Sequence, residues 1–288
     1  MPAPKKILVI GARGFTGQYV FQALQEAPDF KPVDSRGLGV DILDLKTFKN
    51  AVETTKPDGI INLAAVSTLN LENIPLIYEM NAYAIAKILD YLSKIEFSGR
   101  FINASSALVY GSNTPAPIVE TAALYPEHHY AIAKSMADQC INLYFPELDS
   151  IVARPFNCIG LGHKASFVVP KIVNHFRQKA ASITLGTTTV RRDFVDIRDV
   201  ARMYVAVLRA EAPESIINFC SGNPTSIDNI VQTMAHITNH PIEVKFDKTF
   251  TRAVENPYMC GDNARLLALP FDYKYKLEDT LRWMLEEG

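Results

Sequence analysis

The run Ile7-Leu8-Val9-Ile10 stops at Gly11-Ala12-Arg13-Gly14-Phe15-Thr16-Gly17, and this junction restricts the fold more than any other stretch of the chain. Four successive apolar residues suit a strand buried on both faces. Three glycines, each separated by two residues, suit a tight turn into a helix. A missing Cβ lets the backbone bend sharply and lets an anion come close. A helix starting there turns its N–H groups and its positive dipole end toward that anion. Strand, glycine turn and helix in this order point to a site for the pyrophosphate of a dinucleotide. A glycine-closed turn with no ligand is the plain alternative, and the rest of the sequence decides between the two.

Short apolar runs then alternate with longer amphipathic ones. Strands are predicted at 7–10, 30–34, 59–63, 100–104 and 150–153, with helices at 14–26, 45–55, 78–95 and 130–144 between them. This alternation implies an α/β fold: a doubly wound, Rossmann-type parallel sheet with helices on both faces. After Pro155 the rhythm changes. Helices are predicted at 167–179, 199–209, 227–237 and 277–287, with short strands at 183–185, 190–195, 216–220 and 242–246. The expected division is an NAD(P)-binding domain over 1–157, to which 190–212 returns, and a smaller C-terminal substrate-binding lobe from 158–189 and 213–288.

A dinucleotide also needs a group at the end of the second strand to read its adenosine ribose. Asp34 stands there, where an acid accepts from both ribose hydroxyls and favours NAD. Ser35 and Arg36 follow at once, and Arg13 lies inside the glycine turn. A guanidinium in either place pairs with a 2′-phosphate, so NADP(H) is favoured over NAD(H). Asp41-Ile42-Leu43-Asp44 comes too soon after Asp34 for a crossover helix, so a short loop is expected to join strands two and three here. Asp41 is placed to accept from the adenine amino group and Ile42 to pack on its ring, while Asp44 reads as a helix N-cap.

Composition excludes several classes. The chain has 288 residues, of which 48% are hydrophobic and 21% charged, with net charge −2 and no basic block, which speaks against a nucleic-acid partner. The first apolar run is too short for a signal-peptide core, and no segment approaches the ~20 apolar residues of a membrane span. Cys140, Cys158, Cys220 and Cys260 lie far apart without a Cys-x-x-Cys pair, and the six histidines show no ligand spacing. Reduced thiols, a cytoplasmic location and no metal site are the expectation.

Tyr130-Ala131-Ile132-Ala133-Lys134 sets a tyrosine and a lysine at i, i+4 on a predicted helix, so both lie on one face. A free phenol titrates near 10. A neighbouring ammonium is expected to lower that value and make Tyr130 a proton donor and acceptor near neutrality. Lys134 is also placed to hydrogen-bond the nicotinamide ribose. The strand Phe101–Ala104 ends in Ser105-Ser106, where open α/β sheets bind ligands. Ser106 is thus positioned to hydrogen-bond a substrate oxygen beside Tyr130. His128 and His129 read as a solvated loop.

Together these residues resemble the extended short-chain dehydrogenase/reductases, the NAD-dependent epimerase/dehydratase family. The resemblance rests on Gly11…Gly14…Gly17, Asp41-Ile42-Leu43-Asp44, Asn62-Leu63-Ala64-Ala65, Ser105-Ser106-Ala107-Leu108-Val109-Tyr110-Gly111 and Tyr130…Lys134. It continues through Arg154-Pro155-Phe156-Asn157 and Arg192-Asp193-Phe194-Val195-Asp196. It implies Ser106, Tyr130 and Lys134 as catalytic residues, with Ser105 the less favoured serine. It implies that Leu63, Ala64 and Ala65 pass the cofactor with their backbone, and that Asn81 is structural near the site. Gly11, Arg13, Gly14, Phe15, Thr16 and Gly17 belong with the cofactor, as do Ala104 and Pro155 at two strand ends. Ser105, Ser106, Ala107 and Asn157 are expected at the substrate. Arg192 matches an arginine that binds a nucleotide diphosphate. Arg252-Ala253-Val254-Glu255 resembles an Arg-Pro-x-Asp/Glu element that meets diphosphate and ribose, with Ala253 in place of its proline.

Within the family, Arg154–Gly162, Phe167–Pro170, Arg191–Phe194 and Cys220–Gly222 look most like the GDP-6-deoxy-4-keto-mannose reductases. That likeness implies hydride transfer to carbon 4 of a nucleotide-linked keto-sugar, with Tyr130 protonating the alkoxide. The implied product resembles GDP-rhamnose, a precursor of cell-surface polysaccharide. A 4,6-dehydratase carries an Asp-Glu pair where this chain has Ala107 and Leu108, which speaks against dehydration. A 3,5-epimerase-reductase has a cysteine base at the place of Ala107, and Cys158 reads better as a buried thiol than as a substitute. A 4-epimerase that retains NAD uses the same serine, tyrosine and lysine and stays open. So does a non-catalytic dinucleotide sensor, although sensors of this fold usually lose the tyrosine or the lysine. A homodimer through the helices at 78–95 and 130–144 is expected by the same resemblance.

Overall fold

Ile7 and Val9 point to one face of the first strand and Leu8 and Ile10 to the other, and all four are buried. A strand apolar on both faces belongs inside a parallel sheet covered twice. The computed structural model, which describes residues 3–66, 73–250 and 256–288, shows that sheet. Six strands take part: β1 (Lys5–Ile10), β2 (Phe30–Asp34), β3 (Gly59–Asn62), β4 (Arg100–Ala104), β5 (Ser150–Pro155) and β9 (Ile216–Phe219). Their order is β2-β1-β3-β4-β5-β9, and every neighbouring pair is parallel.

Helices α1 (Phe15–Glu26) and α7 (Ile197–Arg209) cover one face, burying Val20, Leu24, Tyr204 and Val207 against Ile7, Val9, Ile61 and Ile102. Helices α2 (Leu45–Thr55), α4 (Ala84–Lys94) and α5 (His129–Tyr144) cover the other, burying Phe48, Ile88, Leu89 and Ile141 against Leu8, Ile10, Ile60 and Phe101. The chain leaves β1 toward β2 on one side and returns to β3 on the other. A crevice therefore opens at the carboxyl ends of β1 and β3, where such sheets bind ligands.

Several expectations change here. Residues 41–44 are neither strand nor crossover, and α2 itself joins β2 to β3. Asp44 caps that helix, accepting from Lys46 N at 3.0 Å. The single helix expected at 78–95 is instead α3 (Ile74–Tyr78), a π-helical turn at Glu79–Tyr83, and α4. Such a turn widens the helix by one residue, and its side chains are set off the regular period that the sequence pattern reads.

Residues 216–219, expected in the smaller lobe, are the sixth strand of the main sheet, and residues 191–196 form a strand outside it. That strand, β8 (Arg191–Asp196), pairs with β6 (Asn157–Ile159), β10 (Pro224–Ser226) and β12 (Tyr258–Met259). Beside it, α6 (Val168–Arg177), α8 (Ile227–Thr238) and α10 (Leu277–Glu287) share a separate core with β7 (Ser182–Leu185), and β11 (Glu243–Phe246) pairs with β7. A short helix, α9 (Ala264–Leu267), follows β12. Two- and three-residue strands carry no readable alternation, which is why β6, β10 and β12 escape prediction. No helix among the described residues is long and apolar enough to cross a membrane.

Candidate active site

The glycine turn is built as its spacing demands. Gly11 has φ +80°, and a Cβ there would lie 2.7 Å from Ala64 N. A Cβ on Gly17 would stand 2.0 Å from Gly11 O. Only glycine permits both approaches, which lock β1, α1 and the Leu63–Ala65 backbone together. Gly14 differs: it is exposed, and a Cβ there would meet only Gly11 O, at 3.3 Å. Gly14 is also the N-cap of α1, with no side-chain cap and no acidic residue in the first turn. An open helix N-terminus beneath a bare glycine fits a pyrophosphate.

At the end of β2 the Asp34 carboxylate already serves the protein. Its Oδ2 accepts from Arg13 Nε at 3.0 Å and its Oδ1 from Arg36 N at 2.9 Å. Arg13 and Arg36 are both exposed there, and Ser35 is buried beneath them. Asp41 Oδ1 accepts from Leu43 N at 3.0 Å. Ile42 is only 5% exposed and packs with Phe48 in the core, which leaves an adenine ring little of its surface. Thr16 and Phe15 sit in the first turn of α1. Phe15 stacks on His163 at 4.4 Å, and His163 on Phe167 at 4.2 Å, so the loop after β6 reaches back to the glycine turn. No periodic pattern along the chain marks that aromatic stack.

The carboxyl end of β4 supplies the chemistry. Ser106 caps the 3-10 turn Ala107–Tyr110, its Oγ accepting from Leu108 N at 3.2 Å. Helix α5 begins beside it and brings the Tyr130 phenol near enough to Ser106 for that hydroxyl to act on its titration. Lys134 is one turn further, 2% exposed, with Nζ donating to Ala104 O at 2.7 Å and lying 5.9 Å from the centre of the Tyr130 ring. Serine, phenol and ammonium thus meet at one strand end.

Their proton affinities differ from expectation. Burial pushes the Tyr130 phenol up to about 12, against the pull of the Ser106 hydroxyl. Desolvation outweighs the neighbouring ammonium, whose Nζ lies 5.9 Å from the ring centre and donates to a carbonyl on β4. Burial brings Lys134 itself down to about 8, opposed by Asp138. At neutral pH the phenol therefore holds its proton and Lys134 stays largely charged, a state suited to donation.

Two further expectations are corrected. Ser105 is 4% exposed, and its hydroxyl is turned inward to the Asp138 carboxyl, close enough to hold that group's titration down but outside hydrogen-bond geometry. His128 and His129 are no solvated loop. His128 caps α5, its Nδ1 accepting from Ala131 N at 3.2 Å, and its ring lies parallel to Tyr130. His129 Nδ1 shares a 2.9 Å hydrogen bond with Tyr78 Oη. Histidine is an unusual N-cap, and nothing in its sequence context marks it as one.

Behind the three reacting groups is a buried polar chain that sequence reading missed. Arg154, near the carboxyl end of buried β5, donates Nε to Asp138 Oδ2 at 3.0 Å and NH1 to Tyr110 Oη at 2.9 Å. Tyr110 donates to Asn218 Oδ1 at 2.7 Å, which joins β9 to the network. An arginine in a buried strand and an acid four residues after Lys134 were the available signals. Asn62 and Asn103 pair side chain to side chain at 2.8 Å beneath the crevice, and Asn81 Nδ2 donates to Val66 O from the π-helical turn.

On the substrate side the placement is mixed. Ala107 is buried, and Pro155 is half-buried at the end of β5. Asn157 Nδ2 donates to Asp193 O at 3.1 Å, and Arg192 stands next to it on β8 with its NH1 on Arg191 O. Asp193 gathers Ser221 N, Ser221 Oγ and Gly222 N at 2.7, 2.7 and 2.9 Å. Arg252 and Glu255 lie outside the described residues. Cys158 approaches Tyr130, and burial beside Asp193 pushes its thiol up to about 12, so it is protonated and no base. Cys158→Ser is expected to keep turnover within about threefold of wild type in a steady-state assay, because the thiol contributes packing rather than proton transfer.

The model of the family described as "NAD dependent epimerase/dehydratase family" matches residues 7–220. The chain belongs to this family, and is thus an NAD(P)-dependent enzyme among reductases, dehydrogenases and epimerases of nucleotide sugars. It is 30% identical over 285 residues to a GDP-6-deoxy-D-talose 4-dehydrogenase of Aggregatibacter actinomycetemcomitans, covering 98% of this chain and 96% of that one. It is 29% identical over 276 residues to a GDP-6-deoxy-D-mannose reductase of Pseudomonas aeruginosa, covering 91% and 90%. Among solved structures, RMD from Pseudomonas aeruginosa complexed with NADPH superposes with a TM-score of 0.87 at 28% identity, over 98% of this chain and 97% of that one.

Proposed function

We propose that this enzyme reduces a nucleotide-linked 4-keto-6-deoxy sugar, of the GDP-4-keto-6-deoxymannose kind, at carbon 4. The observation that carries this reading is the meeting of Ser106, the Tyr130 phenol and the buried Lys134 at the carboxyl end of β4, where burial keeps the phenol protonated. The neighbouring Ala107 and Leu108 cannot transfer protons, which leaves no acid–base pair for dehydration. The two relatives quoted above both act, by name, on GDP-6-deoxyhexoses, which favours guanosine.

Bound at the glycine turn, a reduced nicotinamide dinucleotide supplies the hydride. Gly14 and the first turn of α1, with Phe15 and Thr16, would hold its pyrophosphate over the close packing that Gly11 and Gly17 allow, with the Leu63–Ala65 backbone, Ala104 and Pro155 beside it. Ser106 orients the sugar carbonyl, Tyr130 gives its proton to the oxygen of carbon 4, and Lys134 stabilises the phenolate left behind. Asn157 and Arg192, with Arg252 and Glu255, are assigned to the nucleotide-diphosphate sugar, since guanidinium groups bind diphosphates strongly. Ser105 and Ala107 shape the wall behind.

The test is incubation with GDP-4-keto-6-deoxymannose and NADPH or NADH. Stoichiometric consumption of cofactor is expected. Isomerisation with no net change in cofactor would make the enzyme a 4-epimerase, and binding with neither change would make it a sensor. Because carbon 4 is prochiral, NMR of the product tells the mannose from the talose configuration. Arg13 and Arg36 flank the ribose end of the site and favour NADP(H). Replacing both by alanine is expected to raise KM for NADPH by about tenfold or more, the worth of lost charge-assisted bonds, and to leave KM for NADH nearly unchanged. Tyr83, Met136 and Leu143 are exposed on the π-helical turn and α5, the faces assigned to a homodimer.

A further inference from the structure

Asp138 follows Lys134 by one turn of α5, and both side chains are withdrawn from water. Lysine and aspartate at this spacing share a helix face. Arg154 holds the carboxylate from behind at 3.0 Å, is itself only 2% exposed, and is fixed in turn by Tyr110 Oη and the Glu120 carbonyl. Burial raises the Asp138 carboxyl, while Arg154, the Ser105 hydroxyl and Lys134 act against it. A guanidinium in such a place cannot shed its proton, so the adjoining carboxylate remains its counter-ion.

The other groups facing this pair are few among the described residues. Strand β4 presents the Ala104 carbonyl and the Ser105 hydroxyl, β5 presents Arg154, and the 3-10 turn presents Tyr110. Tyr130 lies on the same helix, with Cys158 of β6 and Tyr204 of α7 near its phenol, and Tyr78 and His129 stand beyond it at the start of α5. Asp138 is the charged neighbour that acts on Lys134.

We propose that Asp138 is a positioning residue: backed by Arg154, it keeps the Lys134 ammonium charged and seated on the Ala104 carbonyl, and so sets the alkaline limit of the reaction. The inference rests on the reading of Lys134 as a member of the reacting set. It assigns to Asp138 no contact with substrate or cofactor.

Its test has an arm that does not need turnover. Lysines carrying 13C at Cε are titrated by NMR with NADPH present, and the Lys134→Arg variant identifies the Lys134 signal by its loss. In Asp138→Asn the Lys134 midpoint is expected to fall by about one pH unit or more. The alkaline limb of kcat/KM should move down with it, costing about tenfold at about pH 9 and little at about pH 6. Asp138→Glu, which keeps the charge, should restore both. An unchanged or raised midpoint in Asp138→Asn overturns the proposal. If that variant does not fold, wild type still decides: the limb of kcat/KM must coincide with the Lys134 midpoint, and a gap of more than about one unit overturns it. Should wild type turn over no nucleotide sugar, the proposed reaction fails, while the NMR midpoints still judge Asp138.

Discussion

Tyr130→Phe is expected to lower kcat by about 10³-fold while changing the dissociation constant for NADPH by less than about threefold, as positioned acid–base groups typically contribute 10²–10⁴. The substitution removes one oxygen beside Ser106, and it leaves the ring in its pocket against the cluster of Ile77, Ala82 and Ala133. Because burial keeps the phenol protonated up to about 12, the wild-type side chain is loaded for donation throughout the neutral range. Its conjugate base is formed only as the sugar oxygen takes the proton, beside the ammonium that stabilises it. Stopped-flow single-turnover rates with pre-bound cofactor separate this step from binding. A variant that retained a tenth or more of the wild-type rate would remove the phenol from the reaction.

The second large effect concerns two glycines three residues apart. Gly17→Ala pushes a methyl to within 2.0 Å of Gly11 O and 2.8 Å of the Ala12 backbone, none of which can move without tilting α1 off the sheet. A loss of about 3 kcal/mol or more is expected by denaturant unfolding, together with loss of cofactor binding. Gly14→Ala should behave oppositely in stability. Its methyl meets one carbonyl at 3.3 Å on an exposed surface, so unfolding is expected to change by less than about 1 kcal/mol. Cofactor affinity should nonetheless fall by about tenfold, because the methyl occupies the approach of the pyrophosphate. Equal destabilisation by the two variants would contradict the assignment of Gly14 to the anion and Gly11 and Gly17 to packing.

These contrasts show what was legible. β4 and α10 appear at their expected residues, and α5 begins one residue early at His129, because apolar periodicity and strand ends are local properties. The glycine turn, Ser106, Tyr130 and Lys134 were readable for the same reason: each is a spacing within one element or at its end. What the sequence withheld depends on distance. The proton affinity of Tyr130 is set by burial under residues from other elements, and the Lys134 ammonium is taken by a carbonyl thirty positions away. Asp138, Arg154, Tyr110 and Asn218 come from four elements, so no window along the chain contains them. The inward turn of Ser105 and the burial of Ile42 follow from packing partners that spacing does not name.

The late arrival of β9 has a consequence for how this molecule comes into being. Residues 150–155 lie at an open sheet border until residues 216–219 emerge, and Asn218 then completes the brace on Tyr110 and, through it, on Arg154. A nascent chain released before that point would carry a bare apolar edge, the kind of border that recruits other chains. The reactive end of the sheet is therefore finished only after most of the smaller lobe's first helix and strands have been synthesised. The main sheet thus draws its last strand from beyond the first elements of the smaller lobe, and a boundary drawn after residue 157 would cut through it.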